Sequence, residues 1–534
     1  MFDSNLLDYS TIVTQGMVVA PHHLAAQTAL AILREGGTAV EAIVAAAATI
    51  AVVYPHMNSI GGDSLFLIVP PSGEPVVIEG IGAAGSLATE KFYEGYKEIP
   101  RRGPKAALTV AGTVGGWQEA LDYISENGYQ PMSTTRLLAD AIKYAEEGFP
   151  VSSSHIFTLS EFIESNNASE EFSKVFLPNG EVPNVGEILY QKNLASTLRN
   201  LADNGLNSFY QGNLAEAISE EIEYLGMPIT REDLAKYSAI RKTPLQLSHK
   251  NGLLFNTPPP TVGLSSLSIL GLLDKLNIDG QHEGKFIHAA VESTKQAFEL
   301  RDEYITDPLY MNVTPESLLT PEAISKMAEN VSLDKASNIN NAKGPGDTIW
   351  MGAMDNKGFS VSFIQSVYYD FGSSVLLPKT GILWHNRGVS FSLEKDNLLY
   401  LSPGKKPLHT LNPAAARLND GRVVVYGTRG GDGQPQTQAA VFHRYVVQGL
   451  NLQKSVSTPR WLYGDTLDKH INTLKLEDRF DEETVNYLKE MGHDIEIMPP
   501  FSEKFGHAGA LVRHPDGRLE GAFDPRGNGI AAGF

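Results

Sequence analysis

Apolar and polar positions alternate on both sides of Thr348. After the turn-forming stretch Lys343-Gly344-Pro345-Gly346, residues Trp350, Gly352 and Met354 fall on one face and Ile349, Met351 and Ala353 on the other. That period of two is the pattern of a strand. Asp355-Asn356-Lys357-Gly358 supplies turn residues, and Phe359, Val361 and Phe363 then alternate with Ser360 and Ser362, so the stretch predicts an antiparallel hairpin with a polar loop. Upstream, a short strand over 16–20 leads to helices over about 23–34 and 39–53, separated by a stop at Gly36-Gly37. Strands follow over 64–69 and 76–79, then helices over 134–148, 193–204, 213–225, 231–237, 264–276 and 285–302. Later, 381–386 and 423–426 read as strands, and a helix opens near Gln436.

With 534 residues, 42% of them hydrophobic and 20% charged, the chain has apolar material for a large core and no composition of bulk disorder. A net charge of −19 with no compensating Lys/Arg block argues against a nucleic-acid or anionic-membrane partner. The alanine-rich stretch over 42–53 is too short to span a bilayer and reads as a buried helix. The N-terminal segment has neither a basic start nor an apolar core of the secretory type, which points to the cytoplasm. Cysteine does not occur, so thiol nucleophiles and thiolate metal sites are excluded and Ser, Thr, Lys, His and carboxylates remain for chemistry. No cofactor or metal motif stands out; Gly112-Thr113-Val114-Gly115-Gly116 has the spacing of neither a dinucleotide fingerprint nor a P-loop.

Two features suit chemistry. Thr348 opens a strand after an irregular stretch; cleavage of the Asp347–Thr348 bond would place its freed amine beside its own hydroxyl, making one residue both nucleophile and base. Gly430 and Gly431 sit at a strand-to-helix junction, where bare backbone N–H groups suit a developing oxyanion, although such a pair is also an inexpensive sharp turn.

Taken together and in order, Gly36-Gly37-Thr38-Ala39, Ile60-Gly61-Gly62-Asp63, Ala111-Gly112-Thr113-Val114, Glu147-Gly148-Phe149, Pro258-Pro259-Pro260, Arg301 to Pro308, Thr348, Lys406-Pro407-Leu408, Gly430-Gly431 and Asp524 to Gly529 resemble the γ-glutamyltransferase family of N-terminal-nucleophile hydrolases. The resemblance implies an α+β fold, a four-layer αββα sandwich, made as a proenzyme that cleaves itself into a large chain of residues 1–347 and a small chain of residues 348–534. It assigns Thr348 as nucleophile, Ser366 as the hydroxyl that tunes it, and Gly430 and Gly431 as the oxyanion hole. The two chains stay together after cleavage, and a homodimer of such units is compatible with it.

The departures concern the substrate clamp. Ile81 stands where γ-glutamyl enzymes have the arginine for the α-carboxylate, about Ser390 where they have the acid for the α-amino group, Tyr368 near the position of a binding asparagine, and His409-Thr410 where they have a serine pair. Within the family, the pattern is most similar to the oxamate amidohydrolase branch, whose substrate is a very small carboxylated amide. Arg387 and Arg429 flank the expected pocket and either suits a substrate carboxylate, with an ordinary ion pair as the alternative. His409 is placed to donate to the same carboxylate or to satisfy loop backbone, and Tyr368 to narrow the pocket. A glutathione hydrolase or γ-glutamyltransferase with a rebuilt clamp is the nearest competing reading, and an inactive scaffold or binding protein is the competitor of another class.

Overall fold

The computed structural model describes residues 9–165, 168–280, 282–339, 341–342, 346–464 and 472–534, with residue 347 described for its backbone. Lys343, Gly344 and Pro345 of the expected turn lie outside the described residues. Two seven-stranded sheets face each other, and every neighbouring pair of strands in them is antiparallel. The first runs in the order Ile530–Gly533, Met17–Ala20, Asp347–Met354, Ser360–Tyr368, Asp63–Val69, Val76–Gly80, Ile240–Lys242. The second runs Thr11–Val13, Leu519–Phe523, Ala508–Arg513, Val423–Thr428, Ala414–Leu418, Gly252–Asn256, Leu245–His249.

The alternation around Thr348 sorts side chains between layers. Ile349, Met351, Ala353, Val361 and Phe363 join the core that the first sheet shares with its helices. Trp350, Met354 and Ile364 face inward and meet Val425, Leu511 and Phe255 of the second sheet. A further core lies between the second sheet and the helices Gly263–Lys275, Glu283–Tyr304 and Gly433–Phe442. Helix, sheet, sheet, helix is the four-layer arrangement expected. Trp350 pins the two sheets together: its indole N–H donates to Ser362 Oγ at 2.9 Å, and that hydroxyl donates to Tyr426 O at 3.3 Å. Gly427 and Gly509 lie against the indole ring, where any Cβ would overlap it.

The alanine helix is wholly interior, with all of Ala39–Val53 buried. Its start is fixed by a capping box between Thr38 and Glu41 and by Asp355 of the hairpin turn, whose Oδ2 accepts from Ala39 N–H at 2.7 Å. Predicted and observed helices agree over His23–Arg34 and Asn213–Leu225, and Glu283–Tyr304 extends beyond its expected span at both ends. The expected strand over 381–386 does not form. Trp384 and Leu383 make only isolated bridges, because the segment bonds to several partners in turn: His385 N–H to Gly61 O at 3.0 Å and Asn386 N–H to Val367 O at 3.2 Å.

Strands from both sides of position 348 interleave within each sheet, so a break at that point would leave the two pieces joined by ladders and core. Among the described residues, no helix is long and apolar enough to cross a membrane.

Candidate active site

Thr348 sits at an irregularity in the central ladder of the first sheet. Asp347 pairs with Tyr368 and Ile349 with Gln365, so Ser366 and Val367 together oppose Thr348. Such a bulge re-aims a side chain and interrupts the ladder beside it. Both hydroxyl residues are buried, and Thr348 Oγ1 donates to Ser366 Oγ at 3.2 Å. Ser366 Oγ also accepts from Tyr368 N–H at 2.8 Å, a bond that helps hold Tyr368 at φ +81°, in the left-handed region that non-glycine residues seldom occupy.

That strained turn sets the Tyr368 ring beneath Arg387, whose guanidinium carbon stands 3.5 Å from the ring centroid. Arg387 is 1% exposed and donates to Leu408 O at 3.3 Å and Thr410 Oγ1 at 3.1 Å. Among the described residues no carboxylate forms an ion pair with it, and burial draws its pKa below the ordinary arginine value. Arg387, Tyr368, Ser390, Thr410, Arg301 and Asp432 line one cavity of about 440 Å³. A stacked, oriented guanidinium at a cavity wall has the donor geometry that suits a planar carboxylate.

The other predicted cation is spent elsewhere. Arg429 Nη2 donates to Glu503 O at 3.0 Å and lies 3.2 Å from Glu503 Oε2, and it is not among the residues lining that cavity. Gly430 and Gly431 follow at φ +122° and +52°, conformations that a side chain would strain. Their carbonyls accept from Gly433 N–H at 2.8 Å and Gln434 N–H at 3.1 Å, which fixes both peptide units ahead of the helix Gly433–Phe442. Asp432 begins that helix and pairs with the buried Arg301 at 2.8 Å.

His409 departs from its expected place. Its neighbours Leu408 and Thr410 line the cavity, whereas His409 turns to the opposite side, with Nε2 3.1 Å from Asp63 Oδ2. Burial, and then the Arg387 charge, hold its pKa down to about 4, so it is neutral near pH 7, with Nε2 facing the Asp63 carboxylate. His385 Nδ1 lies 3.1 Å from the same carboxylate oxygen, while Asp63 Oδ1 accepts from Gly82 and Gly112 N–H, each at 3.2 Å. Burial alone would raise the Asp63 pKa, but the two histidines outweigh it and hold the carboxyl below its ordinary range. Asp63 and His385 are the residues that sequence reasoning passed over; an acid at a strand start inside an apolar run is the one signal that could have flagged them. Ile81 lies in the apolar layer between the sheets, and the Ser390 hydroxyl donates to Arg387 O at 3.0 Å.

Among the described residues, His288, Glu292 and His493 bring ligand-type atoms within 4.8 Å of one another. Protein groups already engage much of this cluster: Lys295 Nζ donates to Glu292 Oε1 at 2.6 Å, Ser337 N–H to Oε2 at 3.1 Å, and His288 Nδ1 is 2.8 Å from His493 Nε2. The lysine ammonium already supplies the cation.

Residues 25–534 match the family described as gamma-glutamyltranspeptidase. The chain is 56% identical to the oxamate amidohydrolase proenzyme of Klebsiella pneumoniae, over 98% of this chain and 99% of that one. It is 35% identical to the glutathione hydrolase-like YwrD proenzyme of Bacillus subtilis, over 99% and 100%. Among solved structures, the cephalosporin acylase from Bacillus halodurans superposes with a TM-score of 0.90 at 30% identity, covering 100% of this chain and 99% of that one.

Proposed function

Because the chain belongs to the γ-glutamyltranspeptidase family of self-processing N-terminal-nucleophile hydrolases, we propose that Thr348 is its nucleophile and that it hydrolyses a very small amide bearing a carboxylate, oxamate first among them. The observation behind this reading is Arg387: buried, without an ion-pair partner among the described residues, and stacked on Tyr368, whose N–H donates to Ser366 Oγ two residues earlier. A γ-glutamyl group would bring a buried ammonium as well, and neither Ile81 nor Ser390 offers it or its carboxylate an opposite charge.

Maturation begins when Thr348 Oγ attacks the Asp347 carbonyl and the peptide becomes an ester. Water opens the ester, leaving the chain of residues 1–347 ending in a carboxylate and the chain of residues 348–534 beginning with a free amine. The interleaved strands keep the two chains together. In turnover the Thr348 amine takes the Oγ proton, and Oγ attacks the amide carbon. Gly430 and Gly431 N–H groups hold the oxyanion, each well-placed donor contributing about 3–4 kcal/mol. Collapse expels ammonia, protonated by the amine, and water then hydrolyses the acyl ester, so oxamate and water give oxalate and ammonia. Ser366 holds the hydroxyl of Thr348 in line. Pairing of two such units into a homodimer is read from the native mass of the matured protein.

Ammonia release from oxamate measured beside anilide release from a γ-glutamyl anilide tests the assignment. Oxamate turnover is expected to dominate; efficient γ-glutamyl turnover with oxamate left intact would overturn it.

A further inference from the structure

We infer that Asp63 is a positioning residue for the substrate carboxylate: through His385 and His409 it fixes the two chain segments that hold Arg387 in its binding geometry. The inference rests on the reading of Arg387 given above.

One carboxylate oxygen, Asp63 Oδ2, lies 3.1 Å from a ring nitrogen of each imidazole, His385 Nδ1 and His409 Nε2. His385 precedes Arg387 by two residues in a segment held by single bonds, His385 N–H to Gly61 O at 3.0 Å and Asn386 N–H to Val367 O at 3.2 Å, rather than by a ladder, and its Nε2 lies 3.0 Å from Thr109 O. His409 lies between the two groups that accept from Arg387, Leu408 O and Thr410 Oγ1. Asp63 therefore anchors the arginine's own segment and its acceptors from one point. Its position is set in turn by the first sheet, where it pairs in register with Ser366, and by the N–H groups of Gly82 and Gly112 on Oδ1. The chain of contacts thus runs from the hydroxyl partner of Thr348 through Asp63 to the arginine. An amide in place of the Asp63 carboxylate would still accept at one end but would present N–H to the imidazoles; the His409 backbone stays bonded to Pro260 O and Val262 N–H, so the rings re-orient and the Arg387 fork beside them loosens.

The test is Asp63→Asn in the matured two-chain enzyme, with KM and kcat measured for oxamate. The expected result is a KM at least tenfold higher with kcat within about threefold, and no further rise when Asp63→Asn is added to Arg387→Ala, since the effect passes through the arginine. His409→Gln, which removes one arm only, is expected to raise KM less. The inference is overturned by an unchanged KM, by a lower KM (the sign expected if Asp63 acted only as a charge competing for Arg387), by an equal fall in kcat on both backgrounds, or by failure of both variants to mature as folded protein. Failure of the wild type to hydrolyse oxamate would instead strike the functional reading, and is scored separately.

Discussion

Removing the Arg387 guanidinium is the sharpest perturbation of the substrate reading. Arg387→Ala leaves any bound carboxylate facing the Tyr368 ring, Leu408 O and Thr410 Oγ1, none of which carries positive charge. Truncating one member of a buried, hydrogen-bonded charge pair costs about 2–5 kcal/mol. At about 1.4 kcal/mol per tenfold, kcat/KM for oxamate should fall by about 30-fold to several thousandfold. Arg387→Lys keeps the charge but loses the planar fork and the stack on Tyr368, and should fall between. The assay is ammonia release from oxamate beside its neutral diamide, a slower substrate that offers no carboxylate and should change by less than about threefold. Arg429→Ala is the counter-control: it strips the ion pair from Glu503 and should lower stability without altering the preference between the two amides. An equal loss on both amides after Arg387→Ala, or a selective loss after Arg429→Ala, would refute the reasoning.

Thr348→Ala should remain one uncleaved chain on a denaturing gel and release no ammonia; normal processing of that variant would remove the nucleophile assignment. Ser366→Ala should keep the fold and lower kcat by about two- to tenfold, the loss of one hydroxyl hydrogen bond of about 0.5–1.5 kcal/mol, with KM nearly unchanged; full activity would reduce Ser366 to packing. Stability should also fall in mild acid. Burial first, with neighbouring cations or histidines at most of them, depresses the pKa of His22, His155, His443 and His493 to about 3 and that of His409 to about 4, whereas the unfolded chain takes up those protons near 6.5. The unfolded state therefore binds more protons as pH drops from 6.5 toward 4, each such group costing up to about 1.4 kcal/mol per pH unit. A melting temperature that is flat between pH 7 and 4.5 would contradict this.

Much of this molecule follows from its sequence alone. The period-two run around Thr348 could satisfy its apolar residues only as a two-sided strand, and the structure gives Ile349, Met351 and Ala353 to the helices and Trp350 and Met354 to the opposite sheet. The apolar run over 42–53 reads as interior, since Thr49 is its one polar residue. Local chemistry also marks Thr348 and the pair Gly430-Gly431, because a positive φ at a strand-to-helix junction selects glycine within a few residues. What the sequence could not decide is where loop side chains point. A strand has a period that assigns faces, whereas the segments around 385 and 409 have none, and their orientation comes from hydrogen bonds to distant chain. Tertiary contacts alone turn His409 from the cavity to Asp63, pair Arg429 with Glu503 while Arg387 lines the cavity, and break up the expected strand over 381–386. The convergence of Asp63, His385 and His409 on one buried oxygen exists only once both sheets are assembled, because the three residues reach it from separate segments that no local propensity brings together.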